Sequence, residues 1–153
     1  CFPPDVEAFS KSRYWHGTGP EYTYIYKDGD EIVGHVGIVF RTIKAGEEQV
    51  DIAGIQSLAV SPRIQGSMLA WALMRRGMKE AKKRGVPFGL LFCVPDLEEL
   101  YAAMKWKLIN VDVVMQDDTG ETVPIPGKNI AMVLPLAGEE FPDGDIDLQG
   151  ADW

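Results

Sequence analysis

The run Leu58-Ala59-Val60-Ser61-Pro62-Arg63-Ile64-Gln65-Gly66-Ser67-Met68-Leu69-Ala70 is where this sequence can do chemistry. A strand pattern ends there, Pro62 breaks the pairing, and a helical pattern begins within a few residues. The first turn of any helix carries amides without intrahelical acceptors and about half a positive charge from its dipole. With Gly66 permitting close backbone approach, the junction suits a diphosphate. The same small residues serve any strand-to-helix connection, so the pattern alone leaves both readings open.

Other reactive side chains are few. His35 shares a strand face with Val33, Gly37 and Val39, and the neighbouring glycines are expected to leave room for a ligand. That makes its imidazole a candidate catalytic base, beside the carboxylates of the C-terminal tail, although a lone histidine on an apolar strand is otherwise simply hydrogen-bonded. His16 has no such setting and no metal partners at useful spacing, and no metal is expected. Cys93 ends an apolar run and reads as core, not nucleophile. Trp15, Trp106 and Trp153 read as packing residues, with Trp15 and Trp153 alternatively platforms for a sugar ring.

The elements that must position these groups are legible from periodicity. Glu21 to Lys27 alternates aromatic and polar residues and Asp28-Gly29-Asp30 supplies a turn. Glu31 to Ile43 is extended, Lys44 to Glu48 turns around Gly46, and Val50 to Val60 returns, giving an antiparallel meander. Ala70, Leu73, Met74, Gly77, Met78 and Ala81 then trace one apolar helix face, and Gly85 and Pro87 mark the stop. Phe88 to Cys93 is a buried strand, which completes a βαβ unit with a right-handed crossover. Pro95 and Asp96 open a shorter helix through Met104. Leu108 to Met115, a turn at Asp117 to Gly120, and Asn129 to Leu136 supply a closing hairpin. The expected class is α+β, a mixed sheet with helices packed on it.

Charge divides the chain. Six acids and no Lys or Arg lie between Ala137 and Trp153, so residues 1–136 carry only −2 of the formal charge of −8. An acidic protein is a poor nucleic-acid binder, and that partner class is excluded. Residues 1–136 read as one domain and 137–153 as an acidic C-terminal tail. Phe141, Ile146, Leu148 and Trp153 give that tail a means of docking on the domain, the other fate being a solvated end. No apolar run approaches the roughly 20 residues of a membrane span, so no membrane partner is expected. Cys1 and Cys93 cannot make a disulfide framework, and a reducing cytoplasm is the expected compartment. The chain opens on Cys1, not Met, and an N-terminal part of the domain is expected to be missing.

Two segments resemble a known superfamily. Val60-x-Pro62-x-x-Gln65-Gly66-x-x-Leu69-Ala70 resembles the coenzyme A pyrophosphate loop of the GNAT superfamily of N-acetyltransferases, where an Arg or Gln opens a run ending in Gly or Ala. Leu100-Tyr101-Ala102-Ala103-Met104-Lys105-Trp106 resembles the helix whose Tyr stands near the coenzyme sulfur. Within the superfamily the closest likeness is to the rhizobial nodulation N-acyltransferases, which acylate the free amine of a chitooligosaccharide. It rests on Ser12-Arg13-x-Trp15, Pro20-Glu21, His35-x-Gly37, Ile43-Lys44-x-Gly46-Glu47, Gly85-Val86-Pro87-Phe88-Gly89 and Val133-Leu134-Pro135. The ending in Trp153 also resembles the aminoglycoside 2'-N-acetyltransferases, which have a comparable Trp near the acceptor pocket.

The resemblance implies acyl transfer from acetyl-CoA, as cosubstrate, to a small-molecule amine by direct attack. It places the coenzyme on Leu58, Ala59, Val60, Gln65, Gly66, Ser67, Met68, Leu69 and Ala70. A backbone N–H near Leu58 or Ala59 would hold the oxyanion, and Tyr101 would be the acid toward the departing thiolate. The acid clusters favour a cationic acceptor or an amino sugar, and a homodimer is a further partner to consider. Three departures stand out: Met68 in place of the loop's central Gly, Lys105 in place of a common Gly, and Gln56 in place of a Glu that serves relatives as a remote base. The alternatives are a carrier-protein-dependent acyltransferase acting on an amino sugar and a non-catalytic acyl-CoA-binding module.

Overall fold

The computed structural model describes residues 18–125 and 129–153. Ser12, Arg13, Trp15 and His16 lie outside the described residues. Strands β1 (Tyr22–Asp28), β2 (Glu31–Ala45) and β3 (Glu48–Val60) form the antiparallel meander that the alternation predicts. The second turn is tighter than expected, because β2 runs on to Ala45 and leaves only Gly46 and Glu47 between the strands.

Helix α1 (Leu69–Lys83) buries Leu73, Met74, Gly77, Met78 and Ala81, the face that its periodicity picks out. It lies close on the sheet: a Cβ at Gly77 would stand 2.7 Å from Ile38 Cδ1, and one at Gly34 would stand 2.8 Å from Leu69 Cδ2. The helix stops in a Schellman motif, with Val86 N–H donating to Ala81 O and Gly85 N–H to Lys82 O. Gly85, at φ 77°, takes the left-handed position that this motif requires.

Strand β4 (Phe88–Cys93) runs parallel to β3, completing the βαβ unit. A 3-10 turn at Pro95–Leu97 leads into α2 (Glu98–Ala103). The run from Leu108 to Met115 is divided. Its first part lies in β5 (Lys107–Ile109), which pairs with β8 (Ile130–Pro135) at one end of the sheet. Its second part lies in β6 (Val113–Gln116), which turns through Asp117–Gly120 into β7 (Thr122–Pro124) at the other end. An apolar run does not specify which edge it will join, and only the assembled sheet does so. The few residues between Ile109 and Val113 span at most about 14 Å, so the sheet curls until its two ends approach.

With a short β9 (Ile146–Asp147), the strand order is β5-β8-β4-β3-β2-β9-β6-β7, and β1 also pairs with β2. Strand β9 lies antiparallel to β2 and parallel to β6. One core cluster joins both helices to the sheet through Val36, Ile38, Ala53, Leu91, Tyr101 and Trp106. A second cluster fills the concave side with Val39, Ile43, Val50, Ile52 and Leu90, together with Ile146, Leu148 and Trp153.

Candidate active site

Two central strands part beside the strand-to-helix junction. β3 and β4 pair only at Ile52–Phe88, Ala53–Gly89 and Gly54–Leu90. Beyond Gly54, β3 continues to Val60 without β4, while β4 stays paired with β8 as far as Cys93. A wedge opens between them toward their C-terminal ends, where ligands enter sheets with parallel strands.

A bulge marks the same stretch of β3. Gly37 pairs with Gln56 and His35 with Ala59, so Ser57 and Leu58 together face Val36. Ser57 carries the extra residue at φ 52°, a left-handed conformation that non-glycine residues adopt only under constraint. The bulge also changes which residues reach the helix side: Ala53 and Ile55 before it, Leu58 and Val60 after it. His35 Nδ1 lies 2.9 Å from Ser57 O.

The junction continues as a 3-10 turn, Pro62–Ile64, then Gly66 at φ 80° and the first turn of α1. Ser61 N–H is tied to Val33 O at 2.8 Å, and Leu69 N–H is capped by Ser67 Oγ at 3.3 Å. The amides of Gly66, Met68, Ala70 and Trp71 have no acceptor among the described residues, and Gln65 to Met68 are exposed. Amides without acceptors at a helix start are what an anion site needs. Met68 leaves it open. Its backbone sits at φ −74°, which suits any residue, and its side chain is 67% exposed.

Tyr101 and Cys93 are packed in the helix-side cluster that Leu58 and Val60 also border. Burial, reinforced by the neighbouring Cys93 thiol, pushes the Tyr101 phenol up to about 12. The hydroxyl is therefore a proton donor throughout the physiological range. Burial also pushes the Cys93 thiol up to about 11, helped by Glu98, so it is no thiolate nucleophile. Tyr101 is held by a second Schellman motif: Trp106 N–H donates to Tyr101 O and Lys105 N–H to Ala102 O. Lys105 occupies its left-handed position at φ 73°, where a Gly would carry no strain.

The concave side is filled by the chain itself. The room expected beside Gly37 is taken by Pro20, whose Cβ lies 2.9 Å from where a Gly37 Cβ would stand. Gln56, 3% exposed, donates from Nε2 to Thr18 O at 2.8 Å, so it braces the segment before β1. The Trp153 indole covers Gly54, tilts against Phe92 with centroids 5.4 Å apart, and lies under the Arg41 guanidinium. Arg41 also donates to Ala151 O and Thr18 Oγ1. Among the described residues no cluster of His, Cys, Asp or Glu could hold a metal, and no helix is long and apolar enough to cross a membrane.

Sequence reasoning missed Ser57. The signal was present in the apolar pattern, where Ala53, Ile55, Leu58 and Val60 change from odd to even positions across one interrupted step.

Solved structures place this arrangement in a class. A GNAT family N-acetyltransferase (YhbS) from Escherichia coli, in complex with CoA, aligns at a TM-score of 0.62 and 18% identity, over 94% of this chain and 73% of that one. A GNAT family acetyltransferase from Brucella melitensis, in complex with acetyl-CoA, aligns at 0.56 and 17% identity, over 94% and 72%. The fold is that of the GNAT acetyltransferases. Residues 4–152 match the family model of nodulation protein A (NodA), and the chain belongs to that family. Nodulation protein A of Bradyrhizobium sp. (strain NC92) is 32% identical over 95 residues, which are 62% of this chain and 45% of that protein. The chain spans less than half the length of the curated relatives it matches.

Proposed function

We propose that the protein is an N-acyltransferase that moves an acetyl or longer acyl group from coenzyme A to the primary amine of a small molecule. One observation carries the reading: β3 and β4 part beside a run of unsatisfied amides at the start of α1. The wedge fits a pantetheine arm, whose own amides would take the place of the missing strand, and the free amides of Gly66, Met68, Ala70 and Trp71 fit the diphosphate. The likeness to GNAT structures solved with CoA and acetyl-CoA supports the same cosubstrate.

In this reading the amine nitrogen attacks the thioester carbonyl directly. A β3 amide at Leu58 or Ala59 stabilises the oxyanion, and the Tyr101 hydroxyl protonates the thiolate as the C–S bond breaks. The nitrogen sheds its proton to solvent or to a carboxylate of the acidic segment. Membership of the nodulation protein A family favours an amino sugar as acceptor.

A carrier-borne acyl group is the second reading. Arg75, Lys79 and Lys82 line one side of a 440 Å³ cavity beside α1, and no ion pair engages them among the described residues. Such a flank suits an acidic carrier.

Calorimetry with CoA tests the binding site, and no heat at millimolar ligand would end the coenzyme reading. Acyl transfer to a panel including glucosamine and its oligomers, from acetyl-CoA and from acyl carrier protein, separates the two donors.

A further inference from the structure

We infer that His35 is a positioning residue, whose Nδ1–H grips the Ser57 carbonyl and so holds the bulge that sets which β3 amide, at Leu58 or Ala59, faces the wedge. The role in transfer rests on the function proposed above; the grip itself does not. A carbonyl oxygen only accepts, so the 2.9 Å contact puts the proton on Nδ1. Ser57 sits at φ 52°, a strained conformation for a residue with a side chain, which persists only where its surroundings over-determine it. Beyond the bulge the strand is anchored by Ser61 N–H on Val33 O. At the bulge itself, His35 supplies the side-chain bond.

The grip matters because of what relaxation would do. Regular pairing would shift β3 by one residue past β2, and a one-residue shift exchanges the faces of every side chain beyond it. Leu58 and Val60 would leave the helix-side core they now border, and the amides at the wedge would turn away. A base would use the lone pair on Nε2, whereas a grip needs only the donor on Nδ1. Asparagine separates the two, because its side-chain amide donates from nearly the Nδ1 position and does not titrate.

The test compares the parent protein with His35→Asn and His35→Ala. Amide hydrogen exchange is read at Ser57 to Val60, with Met132 and Val133 in β8 reporting whether the fold is intact. Acetyl transfer from acetyl-CoA to glucosamine is followed from pH 6 to 9. The expected result for His35→Ala is faster exchange at the bulge but not in β8. Its kcat should fall about tenfold to a hundredfold, with a higher KM for acetyl-CoA. His35→Asn should restore the slow exchange and most of the rate, with the parent's pH profile.

Bulge amides that exchange at the parent's rate in His35→Ala overturn the inference. So does a His35→Asn variant that keeps the bulge yet loses the rate and the acidic limb of the profile, which would make His35 a base. Should the parent protein neither bind CoA nor transfer acetyl, the proposed function fails, and the exchange measurement alone decides the grip.

Discussion

The Trp153 indole occupies the space that a side chain on Gly54 would need: Nε1 would lie 2.6 Å from a Cβ there. Glycine at 54 and tryptophan at 153 are one packing unit, with Phe92 and Arg41 closing it. Gly54→Ala should therefore destabilise the protein by about 1–3 kcal/mol, and Trp153→Ala by about 3–5 kcal/mol. Adding Gly54→Ala to Trp153→Ala should change little, since the clash is already gone. Urea unfolding of the four proteins gives the cycle, and strict additivity would show that the contact is not the cause.

Tyr101→Phe removes the proton donor while leaving a ring of the same shape in a site that is 7% exposed. The proposed mechanism expects kcat to fall about 100-fold or more, with CoA affinity within about twofold of the parent. Steady-state transfer and calorimetry read the two quantities separately. A rate that does not move denies the hydroxyl its part.

At the proposed anion site, Gly66→Val puts a β-branched residue at φ 80°. It should weaken CoA binding at least tenfold and lower stability by about 1–2 kcal/mol. Met68→Gly is the control. Because Met68 is exposed and holds an ordinary backbone conformation, its loss should leave CoA affinity unchanged or tighter. Weaker binding by that variant would mean that the methionine is itself part of the coenzyme site.

Lys105 takes at the end of α2 the position that Gly85 takes at the end of α1, at nearly the same φ. Lys105→Gly should raise stability by about 0.5–1 kcal/mol, since the left-handed strain disappears. Thermal or urea unfolding checks this, and a loss of stability would show that the lysine side chain makes a contact worth more than the strain.

Alkaline stability follows from the two raised pKa values. Folding holds the Tyr101 proton up to about 12, above the phenol's ordinary value near 10. That contribution is whole below pH 10 and disappears as pH rises through 12. Cys93, held up to about 11, behaves alike one unit lower. The urea midpoint should fall from pH 9 upward, and Tyr101→Phe should remove roughly 2 kcal/mol of the fall above pH 10. An identical fall in that variant would place the hydroxyl in full contact with water.

Much of this was legible in the residues because its causes are local. The meander follows from alternation, α1 from its apolar face, and the stop at Gly85 from a motif written in consecutive positions. What was not legible depends on partners far along the chain. The bulge carries no Gly or Pro to flag it, and the odd-to-even switch from Ile55 to Leu58 marks it only once the register with β2 is known. The glycine at 37 suggests ligand space, yet Pro20 fills it, and nothing in the sequence tells that Trp153 will lie on Gly54. The division of Leu108–Met115 required knowledge of which sheet ends meet.

The hairpin of β6 and β7 is stitched to the rest of the sheet through β9, with Gln116 N–H on Gly150 O and Leu148 N–H on Val114 O continuing the seam. The ribosome thus releases this hairpin well before the strand that fastens it. Until the segment around Ile146 arrives, two short strands wait with an open edge, available to a neighbouring chain. Production conditions that slow this last step would raise the yield of misassembled protein without altering a single contact of the finished fold.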